Sequence, residues 1–382
     1  MNYLVLGAGR QGLAIAYDLG KHGEGVRIGL VDADAARLRG GVTRLRQLLP
    51  GVEFVGWPRR LTGADAATWM RGQDCVVSAM PYRFNVALAK AAVRARVSFL
   101  DLGGNTALVE EALELDDAAK RAGVTVVPDC GLAPGLSNVL ASIAVAETPR
   151  ARHVKIRCGG LPLDPERRPL GYSVLFDIAG LTNEYTGEAI VLRGGKVKRI
   201  EAFTECEPFR GPARLGALEA FLTSGGTSTA PKTFRGTLQT YDYKTVRYAG
   251  HFEKMRAIID LGLLELEPVR VGTRRVVPRD VFHAVAGAAW SDPEVKDLAI
   301  LRVECRTAGG KGVRYALYQE YDQKTGFTAM EQTTGYPAAV IGHALARREL
   351  APGARTPERC GFGAEHVTAL RRRGLNIRRT KL

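Results

Sequence analysis

Close to the start of the chain stands Gly7-Ala8-Gly9-Arg10-Gln11-Gly12, a G-x-G-x-x-G pattern that follows an apolar run and opens a stretch of helical periodicity. The three glycines have separate uses. Gly7 permits a tight turn, Gly9 lets the backbone approach a pyrophosphate, and Gly12 lets helix and strand pack closely. The unpaired N–H groups of the first helical turn, at Arg10 and Gln11, then face the phosphates. About 20 residues further on, Gly29-Leu30-Val31-Asp32 closes a second apolar run. Asp32 is positioned to accept hydrogen bonds from an adenosine ribose and to repel a 2′-phosphate. The pattern points to a nicotinamide dinucleotide, with NAD expected over NADP, although Arg37 and Arg39 soften that preference.

Three later apolar runs end in turns of small or polar residues. These are Ser78-Ala79-Met80-Pro81, Asp101-Leu102-Gly103-Gly104-Asn105 and Pro128-Asp129-Cys130-Gly131. In open parallel sheets ligands bind at the carboxyl ends of the strands. Ala79, Met80, Pro81, Gly103, Gly104, Asn105, Cys130 and Gly131 are therefore expected around the nicotinamide half of the cofactor, with Asp129 beside the substrate. A nucleophilic role for Cys130 has no neighbouring base to support it.

The elements that must position these turns are legible from hydrophobic pattern. Apolar runs at Tyr3 to Leu6, Val26 to Val31, Val52 to Val55, Cys75 to Ala79, Val97 to Leu100 and Val124 to Val127 alternate with helical stretches such as Gln11 to Leu19 and Phe84 to Ala95. That alternation predicts a parallel sheet covered on both faces. After about residue 150 the pattern changes. Ala189 to Arg193 and Lys196 to Ile200 flank Gly194-Gly195, a two-residue hairpin signal, and a second pair of runs flanks Gly309, Gly310 and Gly312. The fold expected is α/β, an N-terminal Rossmann doubly wound parallel sheet plus a central α+β substrate domain with a largely antiparallel sheet. Its expected divisions are 1–130, 131–330, a helix in 331–352 that begins near Tyr336 with Pro337 in its first turn, and a basic surface extension over 353–382.

Bulk properties narrow the function classes. The 382 residues are 46% hydrophobic and 25% charged, as in soluble enzymes. The net charge of +14 comes mostly from scattered arginines. There is no aromatic stacking platform and no helix-turn-helix or zinc-finger spacing, so no nucleic-acid partner is expected. None of the six cysteines forms a C-x-x-C pair, so no metal is expected and a reducing compartment fits. A first strand at Asn2 leaves no room for a leader, and no run approaches the ~20 apolar residues of a membrane span. The expected location is cytoplasmic, with no membrane partner.

Asp129-Cys130-Gly131-Leu132-Ala133-Pro134-Gly135-Leu136-Ser137-Asn138 resembles a segment of the saccharopine dehydrogenase family, and within it most resembles lysine 6-dehydrogenases. Gly159-Gly160-Leu161-Pro162, Pro169-Leu170-Gly171-Tyr172, Glu184-Tyr185-Thr186, Lys244-Thr245-Val246-Arg247-Tyr248-Ala249-Gly250-His251 and Thr333-Thr334-Gly335-Tyr336-Pro337 agree in order. The resemblance implies an NAD-dependent oxidoreductase acting on an amino-acid amine, and a homodimer or higher homo-oligomer. The leading expectation is oxidation of the lysine ε-amine to allysine with release of ammonia, the aldehyde then cyclising. The alternatives are saccharopine or carboxynorspermidine dehydrogenase acting on a secondary amine, and a cofactor-binding sensor without turnover.

That chemistry needs a base for the amine proton, a carbon held over the nicotinamide, and a clamp for the substrate carboxylate. Arg247 is the expected clamp, because its fork grips a carboxylate bidentately. Lys244, Tyr248, Asp129 and Thr334 are expected as further substrate contacts. His251 follows Gly250 at an expected helix start, which favours a neutral imidazole able to accept a proton. Asp177, Glu184 and Tyr185 are the other catalytic candidates, the seven-residue spacing setting both acids near one helix face. A substrate with more carboxylates would need a second cation, for which Arg157, Arg167, Arg168 and Arg235 are spare.

Overall fold

Runs of Val, Ile and Leu with little polar alternation suit strands buried on both faces, and here they form a parallel sheet. The computed structural model describes residues 1–61 and 63–382, the side chains of residues 63 and 64 excepted. The first six strands are β1 (Asn2–Leu6), β2 (Arg27–Asp32), β3 (Glu53–Pro58), β4 (Cys75–Ser78), β5 (Ser98–Asp101) and β6 (Thr125–Val127). They lie in the order β6-β5-β4-β1-β2-β3, every pair parallel. The order reverses between β1 and β4, which opens a crevice at their carboxyl ends. Helix Arg10–His22 follows β1 and buries Ala14, Ile15 and Leu19.

The second sheet holds nine strands and is mixed. Its spine is β7 (His153–Pro162), β8 (Glu188–Arg193), β9 (Lys196–Glu201), β10 (Thr204–Phe209), β11 (Leu218–Leu222) and β12 (Thr240–Tyr248), joined by β15 (Asp297–Arg306) and β16 (Gly312–Glu320). The hairpins β8–β9 and β15–β16 are those expected from the glycine signals. Most pairs are antiparallel, but β12 runs parallel to β7. Between β12 and β15 lies a compact insert. It comprises helix His251–Asp260, a detached ribbon of β13 (Val269–Val271) and β14 (Arg274–Val276), and helix Pro278–Trp290.

Two expectations need correction. The late helix runs Ala329–Ala346, not from Tyr336, and Pro337 lies inside it. Its start is fixed by a capping box, Thr328 with Glu331, and by buried Asp297, which accepts from the Ala329 and Met330 amides at 2.6 and 3.0 Å. Gly335 is therefore mid-helix, where a Cβ would stand 2.8 Å from that of Ala14, so the glycine permits the close crossing with helix Arg10–His22. The segment 353–382 is no surface extension either. β17 (Gly353–Ala354) adds to β6 in the first sheet, and β18 (Ile377–Lys381) adds to β16 in the second. Arg373 of the same segment donates to buried Asp18 at 2.7 Å. Among the described residues no helix is long and apolar enough to cross a membrane.

Candidate active site

The crevice of the first sheet continues into a cleft of about 290 Å³, walled on the far side by β12 and helix Ile178–Tyr185. On the dinucleotide side the loop geometry matches what a pyrophosphate needs. A Cβ on Gly12 would stand 1.9 Å from the Gly7 carbonyl, so no other residue fits there, whereas a Cβ on Gly9 would project into open space. The Gln11 side-chain amide oxygen, Oε1, is buried and has no partner among the described residues, and Gln11 lines the cleft. An orphaned acceptor of this kind is what a bound donor would satisfy. Asp32 accepts from the Ala8 and Asp34 amides, both at 2.8 Å, and stands 3.6 Å from Arg37. A carboxylate offers about four acceptor positions, so these bonds aim Asp32 without exhausting it. Met80, Pro81, Gly103, Gly104, Asn105 and Gly131 all line the cleft. These residues fit a nicotinamide dinucleotide, which when bound would supply the hydride acceptor. Arg10 points aside, 3.6 Å from Glu331 and 3.5 Å from the Val174 carbonyl, and ties the glycine loop to the second domain.

On the substrate side the decisive element is β12. Side chains alternate along a strand, and Tyr243, Thr245 and Arg247 face the cleft. Asp242 and Lys244 take the other face, where Lys244 bonds the Glu205 carbonyl and Glu207, at 2.6 and 2.8 Å. Lys244 is thus a structural ion pair and not a substrate contact. Tyr248 also leaves the site, its hydroxyl donating to the Pro162 carbonyl at 2.8 Å. Thr334 does line the cleft.

Arg247 is 3% exposed. Its Nε donates to the Tyr185 hydroxyl and its Nη1 to the Val246 carbonyl, each at 2.9 Å, and its guanidinium lies 4.8 Å over the Tyr172 ring. Among the described residues Nη2 has no protein partner, and Arg247 is the one cation lining the cleft. Three acids share the cleft with it: Asp129, Asp177 and Glu184. Asp177 caps helix Ile178–Tyr185, accepting from the Gly180 amide at 3.2 Å, and Glu184 lies near the other end on the same side.

Burial pushes Glu184 up to about 7, against the pull of the Arg247 charge. A carboxyl poised there exchanges protons near neutral pH. Burial also raises Asp129 to about 8, opposed by the Ser228 hydroxyl bonded to it and reinforced by the charge of Asp101. Asp101 is raised to about 6 by burial, which the amides of Asp129 and Gly103 oppose. The folded chain therefore holds the Asp129 proton up to about pH 8, while the unfolded chain releases it near 3.8. A group raised in this way favours folding at low pH, and its contribution is lost as pH rises towards the folded value. Asp129→Asn keeps the shape without ionising. We expect it to raise Tm over the natural chain by a margin that grows by roughly 2–4 °C between about pH 6 and pH 8, measured by scanning calorimetry. A margin independent of pH would mean that Asp129 is already ionised in the folded protein.

His251 does not serve as the base. It is 2% exposed, absent from the cleft wall, and bonded through Nε2 to the Tyr185 hydroxyl and through Nδ1 to the Leu170 carbonyl, both at 3.0 Å. Burial and the Arg247 charge lower its pKa to about 3, so the ring stays neutral and braces Tyr185, which braces Arg247. Tyr185 likewise holds Arg247 and does not reach the cleft. Cys130 turns inward, its thiol 3.3 Å from the Val127 carbonyl, and burial pushes that thiol well up. Ala79 lies behind the cleft, its carbonyl 2.9 Å from where a Gly7 Cβ would be. The reading of the sequence missed Tyr243 and Thr245, which the period of β12 would have paired with Arg247. It also missed Tyr82, which directly follows Pro81 of a turn already placed at the site, and Ser228, which comes from a distant loop and carries no local signal. Among the described residues no group of three His, Cys, Asp or Glu could hold a metal ion.

The model of the saccharopine dehydrogenase NADP binding domain matches residues 3–127, and that of the saccharopine dehydrogenase C-terminal domain matches residues 131–374. The chain belongs to the saccharopine dehydrogenase family. The second match extends beyond residue 352, as the ordered pairing of β18 does. Among curated relatives, saccharopine dehydrogenase [NADP(+), L-glutamate-forming] of Pyricularia oryzae is 30% identical over 51% of this chain and 44% of its own length. Carboxynorspermidine synthase of Vibrio cholerae is 26% identical over 73% of this chain and 71% of its own length. The chain spans about half the length of the saccharopine dehydrogenases it matches. Apo saccharopine dehydrogenase (L-Glu forming) of Saccharomyces cerevisiae superposes with a TM-score of 0.76 at 18% identity, over 100% of this chain and 99% of that one, and so shares the family fold. None of these three relatives bears the name of a lysine 6-dehydrogenase, so they give the primary-amine expectation no specific support.

Proposed function

We propose that this chain is a nicotinamide-dependent oxidoreductase that forms or cleaves the secondary amine of an amino-acid substrate bearing one carboxylate and at least one further amine. The observation that carries the reading is the charge count of the cleft, one cation against three acids, among the described residues. A single Arg247 matches a single carboxylate. Saccharopine has three carboxylates, and the cations that were spare in the sequence are spent elsewhere. Arg157 pairs with Glu207 and Asp242, Arg168 pairs with Asp164 and Asp292, and Arg167 and Arg235 are exposed. The relatives named for saccharopine and carboxynorspermidine support secondary-amine chemistry, and a carboxylated polyamine has the charge pattern that the cleft would accept.

In the oxidative direction Glu184 would take a proton from the substrate ammonium, and a dinucleotide held by the Gly7–Gly12 loop and Asp32 would supply the acceptor for the hydride of the carbon bearing nitrogen. Water then adds to the resulting imine, and the C–N bond breaks to give a carbonyl compound and an amine. Arg247 would fix the carboxylate, with Tyr185 and His251 holding Arg247 in place. Asp177 and Asp129 would receive the remaining amine groups. Oxidation of the lysine ε-amine remains the second reading, because lysine also carries one carboxylate and two nitrogens.

The test is spectrophotometric. At about pH 9, nearer the amine pKa of roughly 10.4, reduced cofactor is followed with carboxynorspermidine, saccharopine and L-lysine in separate cuvettes. We expect turnover with carboxynorspermidine above the other two. Turnover of lysine alone would select the second reading, and preference for saccharopine would overturn the charge argument.

For the cofactor we propose NAD over NADP, on the carboxylate of Asp32. The description of the matching N-terminal model names NADP, and Arg37 stands at the same corner. Asp32→Ala removes the charge that would repel a 2′-phosphate and leaves Arg37 free to meet it. We expect the ratio of kcat/KM for NAD to that for NADP to fall by about tenfold or more, since one lost charge contact changes binding by about 1.4 kcal/mol or more. A natural chain that already prefers NADP would refute the assignment.

A further inference from the structure

The basic residues of the C-terminal segment take no part in the cleft, but the fold brings some of them to a second cavity. The end of helix Ala364–Arg372 and the turn after it border about 560 Å³ of open space together with helix Arg10–His22, helix Ala329–Ala346 and the end of β16. A concavity of this size suits a small molecule. No residue lines both this cavity and the cleft. Tyr17 and Tyr336 line it and are 5% and 4% exposed. The Tyr17 ring packs on Phe327 and Tyr336, at 5.1 and 6.4 Å between centroids. Neither tyrosine hydroxyl has a hydrogen-bond partner among the described residues, and neither oxygen is sealed from solvent, so both open on the cavity. Hydroxyls on buried rings ordinarily find partners within the chain.

The charges at the rim favour an anion. Lys21, which lies 5.4 Å over the Tyr17 ring, and Arg372 form no ion pair among the described residues. Arg373 spends Nε on Asp18 and Nη1 on the Ala369 carbonyl, at 2.7 and 3.1 Å, and its Nη2 has no partner among the described residues. The two acids of the rim are already engaged. Glu320 pairs with Arg214, and Asp322 accepts from the Lys324 amide and the Thr325 hydroxyl of its own turn, at 3.0 and 2.7 Å. The wall between them is fixed in advance, since Gln332 accepts from Gln319 at 2.7 Å and donates to the Glu320 and Phe327 carbonyls at 2.9 and 3.0 Å. We propose that this cavity is a second binding site, for a small molecule bearing a carboxylate or phosphate group, received by the Tyr17 and Tyr336 hydroxyls with Lys21, Arg372 and the free Nη2 of Arg373. Both groups present several acceptor oxygens and a negative charge, which is what unspent hydroxyl, ammonium and guanidinium donors match. The net charge of +14 adds to the attraction at long range. A ligand there would bridge helix Arg10–His22, which begins at the glycine loop, and helix Ala329–Ala346, which carries Thr334 into the cleft wall.

The experiment is isothermal titration calorimetry on the full chain with its dinucleotide saturating, so that the glycine loop is occupied. The probes are inorganic phosphate, pyrophosphate and citrate at constant ionic strength, and binding is read directly, without turnover. At least one probe is expected to titrate a single site with a Kd of roughly 1 mM or tighter. Tyr17→Phe combined with Tyr336→Phe is expected to weaken that binding about tenfold or more, with unchanged circular dichroism. Lys21→Ala combined with Arg372→Ala, at exposed positions of the rim, is expected to act in the same direction and guards against a disturbance of the buried pair. Arg247→Ala, which alters only the cleft, should bind as the natural chain does. Phosphate or pyrophosphate binding tighter than citrate would identify a phosphorylated ligand, and the reverse order a carboxylate. Absence of binding by all three up to about 10 mM overturns the proposal. So does binding that is unchanged in both double variants, or that is lost in Arg247→Ala.

Discussion

Arg247→Ala is expected to lower kcat/KM by on the order of 10²- to 10³-fold, mainly through KM. The magnitude follows from losing one partner of a buried, charge-assisted carboxylate contact, a change of about 2–5 kcal/mol, with tenfold in rate for every 1.4 kcal/mol or so. The guanidinium is held rather than free. Tyr185 takes Nε, the Val246 carbonyl takes Nη1, and Tyr172 lies beneath the plane, so the unpartnered Nη2 is aimed before substrate arrives. Arg247→Lys keeps the charge but loses the fork, and should recover only part of the activity. Binding of the dinucleotide, followed by fluorescence titration, should be unchanged in both variants, because the glycine loop lies on the opposite wall. A normal KM in Arg247→Ala would place the substrate carboxylate elsewhere.

Glu184→Gln should cost about 10²- to 10⁴-fold in kcat, the range of a general base, with little change in the fold, since Gln matches the shape of the protonated side chain. The pH profile tests the role more sharply than the rate. Burial raises the Glu184 carboxyl to about 7, so it is protonated below that value and ionised above it. As a base in amine oxidation it acts ionised, and the rate should climb as pH rises through about 7. In the reductive direction the protonated form is required, and the rate should fall over the same interval. Glu184→Gln should abolish both inflections. An inflection that persists in Glu184→Gln but vanishes in Asp129→Asn would transfer the role to Asp129, whose carboxyl is raised to about 8.

The acid–base group and the clamp were both among the sequence candidates, but so were His251 and Lys244. Type and spacing could not separate them. Lys244 and Arg247 are three residues apart, and whether they share a face depends on the local geometry. On a helix they would be neighbours; on β12 they point to opposite sides. The sequence shows Gly250 before His251 and hence a helix start, which is where helix His251–Asp260 begins. It does not show that Leu170 and Tyr185, from 81 and 66 residues away, occupy both imidazole nitrogens.

The sequence by itself determined the dinucleotide half. Gly7, Gly9, Gly12 and Asp32 lie within one strand-turn-helix-strand unit, and the steric and electrostatic demands of that unit are local, so each demand is written as a residue type. It also determined the alternation of strands and helices, because burial on both faces leaves a continuous apolar run, and the hairpins, because a tight turn needs Gly194-Gly195. The tertiary structure alone decided the substrate half. Glu184 is pushed up by burial in a cleft assembled from both sheets, Asp129 by burial with the charge of Asp101 adding to it and the Ser228 hydroxyl opposing it, and Arg247 is aimed by Tyr185, 62 residues away. It decided the fate of the C-terminal segment too, since the open edges of β6 and β16 that take up β17 and β18 exist only once both sheets are folded. Burial and pairing between distant segments are properties of the assembled chain, and no stretch of residues carries them alone.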